Sequence, residues 1–486
     1  MEIRIDKQLK TPIYMQIVQG IKREILIGAL TEDSILPSER ALAKMLNVHR
    51  NTVNKAYTEL KGEGVIDSEQ GVGYRVAQKE VVTKSPRKGK KVNWMDQIND
   101  KYLDLPITFD DLFQRFNRKE KISLGSGIAT PGMYDIEELS HKIAKIVAGE
   151  GKNQYFYSPH QGDESLRRQL VSFLSTKGIK ASPGQIQILT ETNQALDFLI
   201  NMLVKPGDVV VTEEPVSPDT YRTVELAGAK LVTVPMDEHG IQCDYLEEVV
   251  KQKNPKLICL NSSFHDPTGS MLSLERRKKV MEISETYRIP IIEYDEASEL
   301  YYGEDAFQPI KAFDRYDNVV YIYSFSLTFV PGLSLAFIVA NGELIHKLSY
   351  LVSMRLVAMD WLTQKLISAY LEEGIYYRKL NDFRQENREK RDLVCNELEE
   401  LKQYGLEFTK PQGGIYLWCK LPRPLDSKNF IIKAYANGIS LLPGHVFYPT
   451  KGGGRDYIRI NYTYEDKERL LEGVKILKDT IIEELK

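Results

Sequence analysis

Cysteine is scarce: the 486 residues hold four, Cys243, Cys259, Cys395 and Cys419, scattered and without a C-x-x-C pair. That excludes a disulfide framework and a thiolate zinc site, and it fits a chain working in a reducing cytoplasm. Histidine is almost as sparse, at seven, and none falls in an H-E-x-x-H spacing, so no metal is expected. No apolar run approaches the length of a membrane span, and the opening "MEIRIDKQLKTPIYMQ" has no apolar signal core. Neither export nor a membrane partner is therefore expected. No internal repeat occurs.

What is present is unevenly distributed. Through Lys91 there are 17 Lys and Arg against 11 Asp and Glu, a balance of +6, whereas the remainder carries 48 against 57, or −9. A basic head on an acidic body suggests a polyanion-binding module attached to a larger soluble part. The length predicts two or three domains, and 42% hydrophobic residues are enough for large cores.

The head reads as three helices and a hairpin. Ile13, Ile17, Ile21 and Ile25 recur every four residues and make one apolar stripe on a helix that ends near Gly28. Pro37-Ser38 starts a second helix, with the Ser38 hydroxyl able to cap free amides and Leu42, Met45 and Leu46 as its apolar face. Asn47-Val48 allows a tight turn. A third helix runs from about His49 to Gly62 and buries Val53, Ala56, Tyr57 and Leu60. Its other face offers Arg50, Asn51, Asn54 and Lys55 to a major groove. "VIDSEQGVGYRV" follows as a hairpin, or wing, around Gly71 and Gly73.

Residues 10–76, through "LPSERALAKMLNVHRNTVNKAYTELKGEGVI" and the glycine-containing wing, closely resemble the GntR family of bacterial regulators. The resemblance implies that Arg40 and Arg50 contact phosphates or guanine edges, that His49, Asn51, Thr52, Asn54 and Lys55 face bases or backbone, and that Gln70 and Gly71 approach the minor groove. Arginine suits guanine through its two-pronged donor set, and asparagine suits adenine. The same arginines could instead pair with Glu39 or Glu59.

Residues 77–119 read as a connector, "AQKEVVTKSPRKGKKV" being basic and aperiodic. Then "QIQIL", "DVVVTEEP", "KLVTVP", "KLICLN", "IPIIEYDE", "NVVYIYSFS" and "LSLAFIVA" alternate with helical stretches. Continuous apolar strands between helices predict an α/β domain with a mostly parallel sheet over 120–379. A long charged helix, shorter strands and a terminal helix predict a small α+β domain over 380–486.

"YSPHQGDESLRRQL", "KPGDVVVTEEP", "DPTGSMLSLERR", "IIEYDEAS", "SFSLTFVPGLSLAF", "GGIYLW" and "YIRINY" resemble the fold type I, class I and II aminotransferases, which use pyridoxal phosphate. With the winged helix in front, the chain resembles the MocR subfamily of transcription regulators. Those members usually bind pyridoxal phosphate and dimerise through the aminotransferase-like part. The resemblance also locates what is missing. Only an amine can form the imine that the cofactor needs. The family's S-F-S-K reads Ser324-Phe325-Ser326-Leu327 here. The phosphate cradle reads Glu191-Thr192, the arginine seven residues after the lysine reads Ser334, the ring-stacking position reads Ser217, and the asparagine of N-P-T-G reads Asp266. The tyrosine after the ring-nitrogen aspartate Asp295 reads Glu296, while Tyr157 and the substrate-carboxylate arginine, Arg459, are kept.

The expectation is therefore a DNA-binding homodimer without covalent cofactor and without catalytic residues. Tyr157, Glu191, Asp266, Asp295, Glu296 and Arg459 would line an effector pocket for an amine, an amino acid or a carboxylate. Arg459 would bind an acid ligand or close an internal salt bridge. Cofactor binding through another lysine or without a covalent bond, or a working aminotransferase, are the alternatives.

Overall fold

The computed structural model describes residues 3, 5, 12–26, 30–31, 34–69, 73–77, 94–99, 102, 121–129, 133–150, 157–303, 307–450 and 452–486. Its internal contacts divide the chain into two units, Met1–Gln97 and Ile98–Lys486.

In the first unit, helix α1 (Ile13–Leu26) turns its isoleucine stripe inward, with Ile17 and Ile21 fully buried and Ile13 and Ile25 partly so. Helix α2 (Glu39–Leu46) begins where the Ser38 hydroxyl accepts from the Ala41 N–H at 3.3 Å. It stops at Asn47, whose left-handed φ of 51° suits asparagine. Helix α3 (Arg50–Gly62) buries Val53, Ala56, Tyr57 and Leu60, the four that its spacing predicts. The α2 face differs from expectation. Leu42 and Ala43 are buried but Met45 is 62% exposed. Ala43 and Leu46 centre this narrow stripe on the far side of Leu42 from Met45. Strands β1 (Ile66–Glu69) and β2 (Gly73–Val76) pair antiparallel from Ile66↔Val76 to Glu69↔Gly73. This is the expected wing. Its tip, with Gln70 and Gly71, lies outside the described residues, as does most of the 77–119 connector.

The second unit opens with β3 (Ile122–Ser123). Its large sheet holds β4 (Ile186–Leu189), β5 (Val209–Glu214), β6 (Lys230–Asp237), β7 (Gly240–Ile241), β8 (Leu257–Asn261), β9 (Ile291–Asp295), β10 (Val319–Ser324) and β11 (Ala336–Val339). The order is β4-β11-β10-β9-β8-β5-β6-β7. The run from β10 to β6 is parallel, and β11 is antiparallel to both its neighbours. Strands β8, β9 and β10 are buried at every residue, as a sheet covered on both faces requires. Alternate residues feed two cores: Ile292, Cys259 and Val320 face one, and Ile291, Ile258 and Val319 face the other.

Beyond it, the helix Ile375–Glu399 leads to β12 (Glu407–Phe408), β13 (Tyr416–Lys420), β14 (Ile439–Ser440), β15 (Leu442–Pro443), β16 (Tyr457–Asn461) and the helix Lys467–Glu484. Strands β12, β13, β16 and β15 form an antiparallel sheet in that order. The 379/380 division thus falls within a helix. Strand β3 pairs parallel with β14, and Ile122 and Leu124 join the C-terminal core. This segment therefore packs with the C-terminal layer.

Candidate functional site

Helix α3 supplies the first candidate interface. With its apolar stripe buried, Arg50, Asn51, Asn54 and Lys55 stand exposed, as do Arg40 on α2 and His49 at the start of α3; Thr52 is half-buried. His49 serves as the helix cap, its Nδ1 accepting from the Asn51 N–H at 3.2 Å. Lys55 places its Nζ 3.9 Å from the centre of the Tyr14 ring. Sequence reasoning weighed Glu39 only as an alternative partner, yet Glu39 organises this face. Its carboxylate accepts from Arg50 Nε at 3.0 Å, Asn54 Nδ2 at 2.9 Å and the hydroxyl of Tyr74, on the wing, at 3.3 Å. The Asn54 hydrogen bond, then Arg50, hold the Glu39 pKa below the usual carboxylate range against the effect of its burial. Two exposed donors of α3 and the wing are thereby tied to one acid.

The second candidate site lies at the carboxyl ends of the parallel strands, where open α/β sheets bind ligands. A cavity of about 340 Å³ opens there. Its wall takes Glu191 and Thr192 from the turn after β4, Ser217 and Asp219 after β5, Asp266 after β8 and Glu296 after β9. Ser326, Leu327 and Ser334 come from the β10–β11 connection, and Arg459 reaches across from β16. Every position at which the family's cofactor contacts were read as replaced therefore lines one cavity. Gly269 shapes the Asp266 turn: at φ +66° it lies under β13, and a Cβ there would be 2.6 Å from the Tyr416 carbonyl oxygen.

Two expected members do not line it. Asp295 is fully buried behind the wall, with Oδ2 accepting from the Tyr321 hydroxyl at 2.6 Å and Oδ1 from the Ser298 N–H at 2.9 Å. Tyr157 is 75% exposed on the surface of this chain. Sequence reasoning missed Asp219, Tyr416 and Phe447. Asp219 had a signal, since it opens the helix Pro218–Leu226 only two residues after the Ser217 already singled out.

Arg459 closes an internal pair. Its Nη1 donates to Asp266 Oδ1 at 2.7 Å, and its Nη2 to the Gly125 and Ser126 carbonyls at 3.1 and 3.3 Å. The guanidinium lies 4.1 Å from the Tyr416 ring centre, and Nε has no hydrogen-bond partner. Burial, and then the nearby carboxylates, push Glu296 up to about 7. The Thr192 hydroxyl is near enough to oppose this, yet reaches no partner at hydrogen-bond distance.

These residues do not fit pyridoxal phosphate. The lining residues, among those described, include no lysine, and Leu327 is apolar and 6% exposed. The N-terminus of the helix Thr192–Leu203, whose free amides could hold a phosphate, carries the Glu191 carboxylate as its cap residue. The buried Lys177 is held elsewhere, by the Ser298 hydroxyl at 2.6 Å and by Glu299.

A helix-turn-helix with a wing, followed by an aminotransferase-type sheet, is the architecture of a transcription regulator with an aminotransferase-like body. Residues 13–76 match the gntR family of bacterial regulatory proteins, and residues 119–475 match aminotransferase class I and II. The HTH-type transcriptional regulator YisV of Bacillus subtilis (strain 168) is 28% identical over 475 residues, covering 96% of each chain. The probable rhizopine catabolism regulatory protein MocR of Rhizobium meliloti is 24% identical over 483 residues, covering 98% of this chain and 95% of that one. The α-aminoadipate aminotransferase LysN of Thermus thermophilus, solved with N-(5'-phosphopyridoxyl)-L-leucine, superposes with a TM-score of 0.75 at 28% identity. That match covers 81% of this chain and 99% of LysN. The chain belongs to the aminotransferase class I and II family, and its fused gntR-type head gives it the MocR architecture of transcription regulators.

Proposed function

We propose that this regulator works without pyridoxal phosphate and without catalysing a reaction. Its enzyme-like body pairs two copies and senses a small effector in the cavity at the strand ends. Leu327 carries the reading. Transamination requires an amine at the cavity wall, and leucine supplies none. The Asp266–Arg459 pair supports it, because a substrate carboxylate would have to displace an acid already bound at 2.7 Å. DNA as the partner implies a cytoplasmic protein. Two winged helices on a dimer would read two half-sites, with α3 in the major groove of each.

The test is operator binding by full-length protein purified without added cofactor. Duplexes selected from a random pool should contain two half-sites and bind specifically with no pyridoxal phosphate present. Arg50→Ala should cost about 1–3 kcal/mol on the selected site, the range for an arginine reading a guanine. Specific binding that appears only when the cofactor is added would contradict the proposal.

A further inference from the structure

The cavity is acidic where an aminotransferase needs positive charge. Its lining carries four carboxylates, Glu191, Asp219, Asp266 and Glu296, against the single guanidinium of Arg459 among the described residues. Asp266 neutralises that guanidinium at 2.7 Å, so the remaining acids face the cavity without a cation. A phosphate or dicarboxylate entering here would meet like charge, whereas an ammonium group would meet partners.

A second feature points to a ligand. Thr192 is 5% exposed and lines the cavity, and its hydroxyl has no hydrogen-bond partner. Buried hydroxyls are nearly always satisfied, so a hydrogen-bond partner is missing from this wall. The ammonium group has three N–H bonds to give, and Thr192 and Glu296 can accept from it. The lining is also partly apolar, with Leu327, Leu196 and Phe447 available to the carbon body of a ligand. Leu327 thus acquires a use: it replaces the reactive amine with surface that an apolar group can cover.

Resting on the effector reading above, we infer that the effector is a small cationic amine with an apolar body, bound by its ammonium group between Glu296, Thr192 and Asp219. The charged and titratable groups around Glu296 set how this binding responds to pH. They are Glu191, Asp219, Asp266, Asp295, Arg459, Tyr294 and Tyr416. Apart from Arg459, which Asp266 balances, they are acids or phenols, so the nearest uncompensated cation would be the ligand itself. In the free protein Glu296 holds its proton up to about pH 7. An ammonium ion stabilises the ionised form, so binding below pH 7 must expel a proton. Affinity therefore rises from pH 6 to 8 and levels off above, while alkylamines stay charged throughout.

Titration calorimetry and thermal stabilisation of the full-length protein with benzylamine and cadaverine, against phenylacetate, glutarate and pyridoxal phosphate, test this. The amines alone should bind, severalfold more tightly at pH 8 than at pH 6. Glu296→Gln should weaken benzylamine at least tenfold and abolish the pH dependence. Asp219→Asn, at an exposed position that should tolerate the change, should weaken it as well. Binding of the carboxylates or of pyridoxal phosphate, with the amines silent, would overturn the amine inference and leave an effector cavity standing. Amine binding indifferent to both substitutions would place it elsewhere and equally overturn the inference. If no compound binds, the effector reading falls with it.

Discussion

The Asp266–Arg459 pair makes the most quantitative prediction. Asp266→Asn removes one charge from an ion pair whose arginine side chain is 5% exposed and whose aspartate side chain is 25% exposed. Breaking a fully buried pair by removing one partner costs about 3–5 kcal/mol, and a hydrogen bond to a charged group contributes about 1.5–3 kcal/mol. Here Asp266 is partly solvated, the asparagine oxygen can still accept, and Nη2 keeps the Gly125 and Ser126 carbonyls. The expected cost is therefore about 2–3 kcal/mol, within the range for a charged hydrogen bond and no higher than the bottom of the range for a fully buried pair. Urea unfolding followed by tryptophan fluorescence, to which Trp418, stacked on Tyr457 at 5.1 Å in the same C-terminal sheet, contributes, reads it. A double-mutant cycle with Arg459→Met isolates the pair, and its coupling should be about 2 kcal/mol. A loss below about 0.5 kcal/mol for Asp266→Asn, together with negligible coupling, would show that Arg459 is not held by this acid and is free for a ligand carboxylate.

Other outcomes follow from the same geometry. Glu39→Gln should lower the ratio of specific to nonspecific DNA binding, because Arg50 and Asn54 lose the acid that orients them; an unchanged ratio in fluorescence anisotropy across a salt series contradicts that role. Ser38→Ala should cost the winged helix about 1 kcal/mol of stability by thermal or chemical unfolding, since the hydroxyl caps α2. Unfolded, Glu296 loses its proton in the ordinary carboxyl range, but folded it keeps it up to about 7, so stability falls as pH rises through that window. Glu296→Gln should accordingly stabilise the protein above pH 7, by at most about 3 kcal/mol, and have little effect near pH 4.

The parts of this chain legible in its sequence are those fixed by local pattern. Strands β8, β9 and β10 are buried throughout and mostly apolar because the sheet is covered on both faces, and α3 shows a buried stripe at the expected spacing. Leu327, Ser334 and Asp266 were legible because the turn motifs "PGL" and "PTG" frame them. What stayed hidden depends on pairs far apart in sequence. Asp266 and Arg459 are 193 residues apart, and Asp295 faces Tyr321 instead of the cavity because β9 and β10 lie side by side. Glu39 was visible as a residue but not as a hub, since Asn54 and Tyr74 reach it only after α2, α3 and the wing have packed.

The central claim, a regulator whose enzyme-derived body no longer holds the cofactor, is tested most directly by incubating the purified full-length protein with pyridoxal phosphate, reducing with borohydride and measuring the intact mass. The account predicts a colourless protein whose mass is unchanged. A visible absorption band and a stoichiometric adduct trapped on any one lysine would contradict it.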